Sequence, residues 1–424
     1  MHNNLKKMQQ KALNYMLSGG NVFLTGEAGT GKSYVTNCFI EECTKRKKNI
    51  LVTAPTGISA INIHGSTLHR TFQIPVKPLL ETEGIVKVPK TVRTADIIII
   101  DEISMCRADI FDYVARVIEM AEKIKRKKIQ LIVIGDFLQL PPVTPNQEAN
   151  ILKNIYPNSN KFYAFESNRW NDFNFQTVIL DEIVRQSDPV FVSELNKARI
   201  GNPQCISFFN KKYSTKFTKN GITLVGTNKK ALEINERELA KLPGRERLFH
   251  ADYLGKFKPS DCLADEWLKL KVGARVMSLV NDKADRYQNG TFGTVVDLNP
   301  QYVVVRFDNG YECKITSHTW ENVTYEVFED TDSTGKKVQR LDATVIGTCD
   351  QIPLKLAYAV TIHKSQGQTF EKVNLYPQAF DVGQLYVALS RVKSLDGLVL
   401  CSKIIPWYLK SDQNVIDFYN TILQ

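Results

Sequence analysis

Long apolar runs are missing from this sequence. The two best, "IIII" before Asp101 and "LIVI" before Gly135, fall far short of the ~20 residues that span a bilayer. The first ten residues, MHNNLKKMQQ, lack the apolar segment of a secretory signal and are too short for a transit sequence. These absences argue against a membrane protein. They predict a protein of the cytoplasm or nucleoid without a targeting signal.

Paired cysteines are also missing. The eight cysteines are scattered, none forms a C-x-x-C pair, and the six histidines show no zinc-finger spacing beside them. This pattern predicts reduced, mostly buried thiols and argues against a metal held by Cys or His.

The composition is that of an ordinary globular protein with a basic balance. The 424 residues allow two or three domains, and 43% of them are apolar and 24% charged. The net charge of +10 suggests a polyanion as partner, because Lys and Arg neutralise phosphates. The basic runs at 45–48 and 123–128 are equally explained as solvated helix ends.

Short apolar strands alternate with helical stretches in the first third of the chain. Strands are predicted at 21–26, 49–55, 95–102 and 129–136, with an amphipathic helix at 33–48. Continuous apolar strands separated by helices predict a parallel sheet covered on both faces, and therefore an α/β fold class.

The pattern of predicted strands and turns changes further along the chain. The pattern weakens near 168–186 and resumes at 221–228, whereas 270–350 shows short alternating strands with NG and DNG turns. Such turns predict a small antiparallel β barrel inserted into a second α/β domain. The predicted domains are 1–183, then 184–269 continued by 351–424, with the barrel at 270–350 between these two parts.

A phosphate-binding motif, GEAGTGKS, runs from Gly26 to Ser33 between a predicted strand and a predicted helix. That context is what the motif requires, because backbone N–H groups and the helix N-terminus hold phosphates. Lys32 is expected to neutralise β and γ oxygens and Ser33 to bind Mg²⁺.

Two neighbouring carboxylates, Asp101 and Glu102, follow the apolar strand "IIII". One carboxylate can coordinate Mg²⁺ through water, and its neighbour can polarise the attacking water. With the phosphate-binding motif, this pair predicts an ATPase or GTPase. The motif does not indicate what the hydrolysis drives.

The stretch GDFLQLPP, Gly135 to Pro142, sets a glutamine in front of two prolines. Taken alone it is explained by a turn, because Gly, Asp and Pro are ordinary loop residues. Upstream, Gln9 could pair with an adenine edge, although a glutamine on a surface helix is usually only solvated.

The order of the remaining segments is informative. APTGISAINIHGSTLHRTF (54–72) is followed by "IIIIDE", "GDFLQLPP", "VRQSDPVFVSELNKARIG", "LVGTN", "TIHKSQGQTF" (361–370) and "YVALSRVKS" (386–394). From Gln9 to about Val399 the chain resembles the Pif-type (petite integration frequency) branch of superfamily-one helicases, relatives of the phage Dda and RecD-like enzymes.

The resemblance implies two RecA-like domains that use ATP and Mg²⁺. The implied nucleotide-binding residues are Gln9, Gly26, Ala28, Gly29, Thr30, Gly31, Lys32, Ser33, Gly367 and Gln368, with Ser33 and Asp101 as metal ligands. The implied catalytic residues are Lys32, Asp101, Glu102, Gln139, Arg185 and Arg391. In this interpretation Gln139 senses the γ-phosphate and the two arginines reach the triphosphate from the second domain. Without the phosphate-binding motif, Arg391 would instead be taken as an exposed helix arginine.

The resemblance also implies a single strand of DNA, or its junction with a duplex, as partner. The implied DNA-binding residues are Pro55, Thr56, His69, Phe72, Asn228, His363 and Lys364. Phe72 offers a stacking face for a base, although core packing explains it equally well. The proline-rich segment at about 73–93 is expected to be a wedge, and the inserted barrel to be SH3-like. The protein is expected to be monomeric as isolated.

The implied activity is 5′→3′ DNA unwinding in replication, repair, recombination or telomere maintenance. An RNA helicase is an alternative, since backbone contacts do not reveal the sugar. An ATP-gated binding protein or a nuclease motor subunit is another. A nucleotide kinase fits poorly, because it leaves "TIHKSQGQTF" and "ALSR" unexplained.

Overall fold

The computed structural model describes most of the chain. The described residues are 5–56, 59–60, 63, 65–75, 79, 87–183, 186, 188–218, 221–259, 262–284, 286–331 and 337–423. Within these ranges, every helix is too short or too polar to cross a membrane.

The described elements alternate between helix and strand in both the first and the last part of the chain. The helices are α1 (Lys7–Leu17), α2 (Lys32–Lys45), α3 (Leu68–Phe72), α4 (Lys90–Thr94), α5 (Ala108–Lys125), α6 (Asn146–Ile155), α7 (Pro189–Arg199), α8 (Ile206–Asn210), α9 (Asn228–Ala240), α10 (Gln384–Leu389) and α11 (Gln413–Leu423). The strands are β1 (Val22–Gly26), β2 (Ile50–Ala54), β3 (Ser66–Thr67), β4 (Ile97–Ile100), β5 (Gln130–Ile134), β6 (Gln176–Leu180), β7 (Ile222–Val225), β8 (Arg247–His250), β9 (Asp252–Gly255), β10 (Trp267–Leu270), β11 (Arg275–Ser278), β12 (Phe292–Asn299), β13 (Tyr302–Phe307), β14 (Glu312–Thr316), β15 (His318–Thr331), β16 (Lys337–Gln351), β17 (Leu354–Leu356), β18 (Ala359–Thr361), β19 (Val373–Leu375) and β20 (Leu398–Leu400).

The chain divides into two compact units. The first unit contains residues 1–226 and 361–424, and the second contains residues 227–360. A parallel sheet of order β3-β2-β4-β5-β1-β6 forms the centre of the first unit. Strands β1 and β4 are buried along their whole length, as expected for strands covered on both faces. The four strands predicted in the first third are thereby confirmed.

A second parallel sheet in the same unit contains β7, β19 and β20, with β19 in the middle. Helix α7 begins at Pro189 behind the N-cap Asp188, whose carboxylate accepts hydrogen bonds from the backbone of Val190 and Phe191. The helix ends at Arg199, and Gly201 follows with φ of +74°, a conformation that glycine adopts easily just after a helix.

Helix α11 packs against the first sheet, although 351–424 was predicted to complete the second domain. Val415 and Tyr419 are buried in the same core as Phe23, and the Phe418 ring stacks on Phe165 with centroids 4.2 Å apart. The Tyr419 hydroxyl lies 2.7 Å from Thr25 Oγ1. The last helix therefore contributes to the core of the first sheet, and the predicted domain boundaries stay predictions.

The second unit is mainly antiparallel. Its larger sheet has the order β14-β13-β12-β11-β17, and its core contains Val276, Val295, Val305 and Leu354. A long hairpin of β15 and β16 pairs with β9 in a separate sheet, which the sequence did not predict. The antiparallel strands predicted for 270–350 are confirmed, whereas closure into an SH3-like barrel stays a prediction.

Most of the cysteine thiols are buried, as predicted. Six of the eight lie in the interior, and Cys262 and Cys401 are half-buried. In the second unit, Cys262 Sγ lies 3.0 Å from Cys349 Sγ. Two thiols at this distance are neighbours even though they are far apart in sequence.

Candidate active site

The phosphate-binding motif forms the turn between β1 and α2. Gly26 has φ of +142°, and a Cβ atom there would lie 2.4 Å from the carbonyl oxygen of Leu180, so only glycine fits. Gly29 and Gly31 also have positive φ, and Gly31 caps α2. This backbone directs the N-terminus of α2 towards the turn, an arrangement that binds phosphate.

Lys32 is the first residue of α2. Its Nζ donates to the carbonyl oxygens of Gly26 at 2.8 Å and Glu27 at 2.9 Å. Burial lowers the pKa of Lys32, while the carboxylates of Asp136, Glu102 and Asp101 oppose this shift. The ammonium group is therefore held beside the phosphate-binding turn.

Asp101 and Glu102 lie at the carboxyl end of β4, as predicted. Burial raises the pKa of Asp101, and the negative charge of Glu102 acts in the same direction. Asp101 Oδ1 accepts a hydrogen bond of 2.8 Å from the backbone N–H of Glu102. Glu102 has φ of +50°, which is uncommon for a residue with a side chain.

Arg391 reaches the same region from the second half of the chain. It is only 2% exposed, so the alternative of an exposed helix arginine is wrong. Its Nε donates to the carbonyl oxygen of Val387 at 2.9 Å, and its Nη1 donates to that of Gln368 at 3.2 Å. The guanidinium group is fixed by the preceding helix, α10, and by the segment 361–370.

These groups surround one cavity of about 250 Å³. The lining residues are Ala28, Gly29, Gly31, Lys32, Ser33, Asp101, Glu102, Gln139, Gly367 and Arg391. The cavity combines two cations, glycines with positive φ and a helix N-terminus, which together suit a triphosphate. The Ser33 hydroxyl and the Asp101 carboxylate are oxygen donors of the kind that Mg²⁺ prefers, so the residues fit that ion.

Gln139 lies at this cavity on the loop after β5. It is 5% exposed, and its backbone N–H donates to the carbonyl oxygen of Asp136 at 2.9 Å. Gly383, just before α10, lies so close that a Cβ atom would be 2.3 Å from the Gln139 carbonyl oxygen. The loop is therefore packed against the second half of the chain. A simple turn, the alternative explanation of this stretch, would not require such packing.

Asp136, in the same loop, is fully buried and paired with Arg199 of α7. The Arg199 Nη2 atom lies 2.8 Å from Asp136 Oδ1, and Nε lies 3.0 Å from Oδ2. The Tyr386 hydroxyl of α10 accepts a 2.9 Å hydrogen bond from the backbone N–H of Ala28. These contacts join the phosphate side of the first sheet to helices α7 and α10, and sequence reasoning missed them.

Gln9 lies on α1 against the phosphate-binding turn. Its Nε2 donates to the carbonyl oxygen of Thr30 at 3.0 Å, and its Oε1 accepts from the backbone N–H of Lys6 at 3.0 Å. The amide is thus next to the nucleotide site, while its predicted pairing with adenine stays a prediction. Arg185, the other predicted arginine, lies outside the described residues.

Three of the predicted DNA-binding residues share a second cavity. Pro55, Thr56 and His69 line a space of about 270 Å³ beyond the carboxyl end of β2. Burial lowers the pKa of His69, and the nearby Arg107 acts in the same direction. His69 is therefore more often neutral at pH 7 than an exposed histidine.

The stacking role predicted for Phe72 is wrong. Phe72 is 0% exposed and belongs to the core of the first sheet together with Leu68. The two residues are four positions apart on α3, so they share its buried face. About half of the segment predicted to be a wedge, at about 73–93, lies outside the described residues, so the wedge stays a prediction.

His363 and Lys364 lie on a short 3₁₀ turn, Ile362–Ser365, which ends just before Gln366. The His363 ring faces Phe380 with centroids 6.3 Å apart, and burial lowers the pKa of His363. Asn228 is exposed at the start of α9 and belongs to the second unit.

Gln366 is a further residue that sequence reasoning missed. Its Nε2 donates a 3.0 Å hydrogen bond to Glu102 Oε2. Its position directly before Gly367, within "TIHKSQGQTF", is the signal that could have identified it.

Known proteins match nearly the whole chain. A family model described as PIF1-like helicase matches residues 3–200. The ATP-dependent DNA helicase Pif1 of Campylobacter jejuni is 32% identical over 96% of this chain and 96% of the relative. This chain belongs to the PIF1-like helicase family.

Solved structures of Pif1 helicases agree with this family assignment. Bacteroides Pif1 bound to ssDNA matches with a TM-score of 0.84 and 35% identity, over 98% of this chain and 96% of that chain. Pif1 from Bacteroides in complex with ADP-AlF3 and ssDNA gives a TM-score of 0.83 and 35% identity, over 98% and 97%. The matches confirm the predicted α/β fold with two RecA-like domains.

Proposed function

We propose that this protein is an ATP-dependent DNA helicase that moves 5′→3′ along single-stranded DNA and unwinds duplex or structured DNA. The observation that carries this proposal is the cavity shared by Lys32, Glu102 and Gln139 of the first half with Arg391 of the second half. Hydrolysis at such a site depends on the arrangement of two RecA-like domains, which is what a motor requires. Replication, repair, recombination and telomere maintenance are the processes in which we expect it to act.

Each residue has a proposed chemical role in hydrolysis. Lys32 neutralises the phosphate oxygens, and Glu102 accepts a proton from the attacking water. The guanidinium group of Arg391 stabilises the charge that spreads over the transferred phosphoryl group. Ser33 and Asp101 hold Mg²⁺, which when bound neutralises phosphate charge.

Gln139 couples the nucleotide to the second half of the chain. Its side chain lies at the nucleotide cavity, and its backbone packs against Gly383. An amide in this position can bond the γ-phosphate in the ATP state and lose that bond after hydrolysis. Gln9, beside the phosphate-binding turn, reads the adenine.

Single-stranded DNA follows two proposed contact regions of the first unit. Pro55, Thr56 and His69 form one, and His363 and Lys364 of the short 3₁₀ turn form the other. Hydroxyl, imidazole and ammonium groups contact phosphates without reading bases, so binding should depend little on sequence.

A short duplex with a single-stranded tail tests the proposal. With ATP and Mg²⁺, we expect unwinding from a 5′ DNA tail and none from a 3′ tail, while Lys32→Ala should unwind neither. Unwinding only from the 3′ tail would contradict the polarity. ATP hydrolysis without unwinding would favour an ATP-gated binding protein, and faster unwinding from a 5′ RNA tail would favour an RNA-directed motor.

A further inference from the structure

Gln366 links the proposed general base to the segment that carries two proposed DNA contacts. We propose that Gln366 is a positioning residue that sets the orientation of the Glu102 carboxylate, and that single-stranded DNA stimulates hydrolysis through it. This inference rests on the proposed function and adds the residue through which DNA acts on the ATP site.

The contact is close and partly buried. Gln366 is 2% exposed, and its Nε2 lies 3.0 Å from Glu102 Oε2. A hydrogen bond to an ionised acceptor is stronger than one between neutral groups, particularly away from water. Among the described residues, Gln366 is the side chain that donates to this carboxylate. The angle at which Glu102 meets its water therefore depends on where Gln366 is held.

The remaining polar atom of Gln366 is unusual. Its Oε1 is buried and has no hydrogen-bond partner among the residues that the structure describes. A buried amide oxygen without a partner is costly, so an amide that served only to fill space would be replaced favourably by an apolar side chain. The amide at this position is better explained by its donor, which faces the proposed base.

The backbone conformation of Glu102 also indicates that this residue is held in one orientation. Its φ of +50° lies in the left-handed region, which is unfavourable for a residue with a Cβ atom. Strained backbone of this kind is found where the surrounding structure holds a functional group in one orientation. The hydrogen bond from Gln366 is one of the contacts that hold it.

The chain around Gln366 connects this contact to the DNA side. The backbone N–H of Gln366 donates to the carbonyl oxygen of His363 at 3.3 Å, and Ser365 Oγ donates to that of Ile362 at 2.7 Å. Two residues beyond Gln366, the Gln368 carbonyl oxygen accepts from Arg391 Nη1. A DNA strand that engages His363 and Lys364 therefore acts on a short hydrogen-bonded segment that also contacts both Glu102 and Arg391.

Gln366→Met tests the proposal, because methionine has a similar length and lacks the donor. We expect kcat at saturating single-stranded DNA to fall about tenfold or more, the effect of losing a hydrogen bond to a charged group. The ratio of DNA-stimulated to DNA-free kcat should fall with it, whereas the Kd for DNA and the KM for ATP should change much less. Gln378→Met is the matched control, since its exposed amide donates to Ser402 Oγ and no loss of stimulation is expected.

A double-mutant cycle separates positioning from a purely structural role. Glu102→Asp shortens the base and retains a carboxylate, so the penalty of Gln366→Met should shrink clearly in that background. Equal penalties in both backgrounds, or a normal stimulation ratio in Gln366→Met, would overturn the inference. Gln366→Glu, which sets a second carboxylate against Glu102, should also lose stimulation and provides a test if the Met variant folds poorly.

The outcome for the unmodified protein distinguishes the two proposals. If single-stranded DNA does not stimulate its ATPase, the proposed function fails and this inference fails with it. If DNA stimulates the unmodified protein and Gln366→Met equally, only the role of Gln366 is overturned.

Discussion

The ion pair between Asp136 and Arg199 allows a quantitative prediction. Asp136 is fully buried behind the phosphate-binding turn, and Arg199 Nη2 and Nε approach its two oxygens at 2.8 and 3.0 Å. Arg199→Met keeps the aliphatic part of the side chain and removes the charge. The variant leaves a buried carboxylate without its cation.

Removing one partner of a buried ion pair costs about 3–5 kcal/mol. Asp136 keeps a hydrogen bond of 3.1 Å from the backbone N–H of Leu138, and the Tyr419 hydroxyl lies 3.3 Å from it. For Arg199→Met we therefore expect a loss of folding stability at the lower end of this range. A loss of about 3 kcal/mol corresponds to a roughly 150-fold lower equilibrium constant for folding, since 1.4 kcal/mol is tenfold.

Urea unfolding followed by tryptophan fluorescence measures this loss, with Asp136→Asn as the matched partner. In the double variant Arg199→Met/Asp136→Asn, no buried charge remains without its cation, so it should be more stable than Arg199→Met alone. A loss below about 1 kcal/mol in Arg199→Met, or additive losses in the double variant, would refute the reasoning.

The pH dependence has a definite sign. Burial alone would raise the pKa of Asp136, but the Arg199 guanidinium, together with the charge of Lys32 and the hydrogen bond from the Leu138 backbone, holds that pKa below its usual value. A carboxyl with a lowered folded-state pKa stabilises the fold above its unfolded-state pKa, and this contribution disappears as the pH falls through the folded-state pKa. In Arg199→Met the pKa of Asp136 should rise. The stability that the Asp136 carboxylate contributes should then begin to disappear at a higher pH.

Three further predictions concern other parts of the molecule. Arg391→Ala should slow ATP hydrolysis by about 10³-fold while a fluorescent ATP analogue still binds, and unchanged turnover would contradict the proposed role. Gly26→Ala should lower the unfolding midpoint sharply, because its Cβ atom would meet a backbone carbonyl at 2.4 Å, whereas Gly20→Ala, with open space around it, should not. Diamide should join Cys262 to Cys349, slowly at neutral pH because burial raises the pKa of Cys349 to about 12, and peptide mapping with Cys262→Ser as control should detect the link.

The nucleotide site could be predicted from sequence because its geometry is local. The strand before Gly26 and the helix after Lys32 both have clear apolar patterns, so the phosphate-binding turn could be placed between them. The same holds for Asp101 and Glu102 at the end of a fully apolar strand. The position of Arg391 at this cavity could be predicted only from the family resemblance. No local sequence pattern indicates a contact between residues so far apart in the chain.

The sequence does not predict features that depend on how distant elements pack against one another. Phe72 follows a motif that suggests DNA contact. It lies four residues after Leu68 on α3, however, and so its ring points into the core. Helix α11 has an apolar face, yet nothing in its sequence tells which sheet it covers. Alternating residues at 270–350 predict strands but not their partners, so the pairing of β15 with β16 as a separate hairpin could not be predicted.

The hydroxyl contact between Thr25 and Tyr419 has a consequence for synthesis of the protein. The two residues are 394 positions apart, and ribosomes add about 5–20 residues per second. Residues of β1 therefore wait roughly 20–80 s before the helix that covers them has been made. During this interval Phe23 and Phe137 lack one of their aromatic neighbours, so the nascent first sheet is a place where a chaperone would be expected to bind.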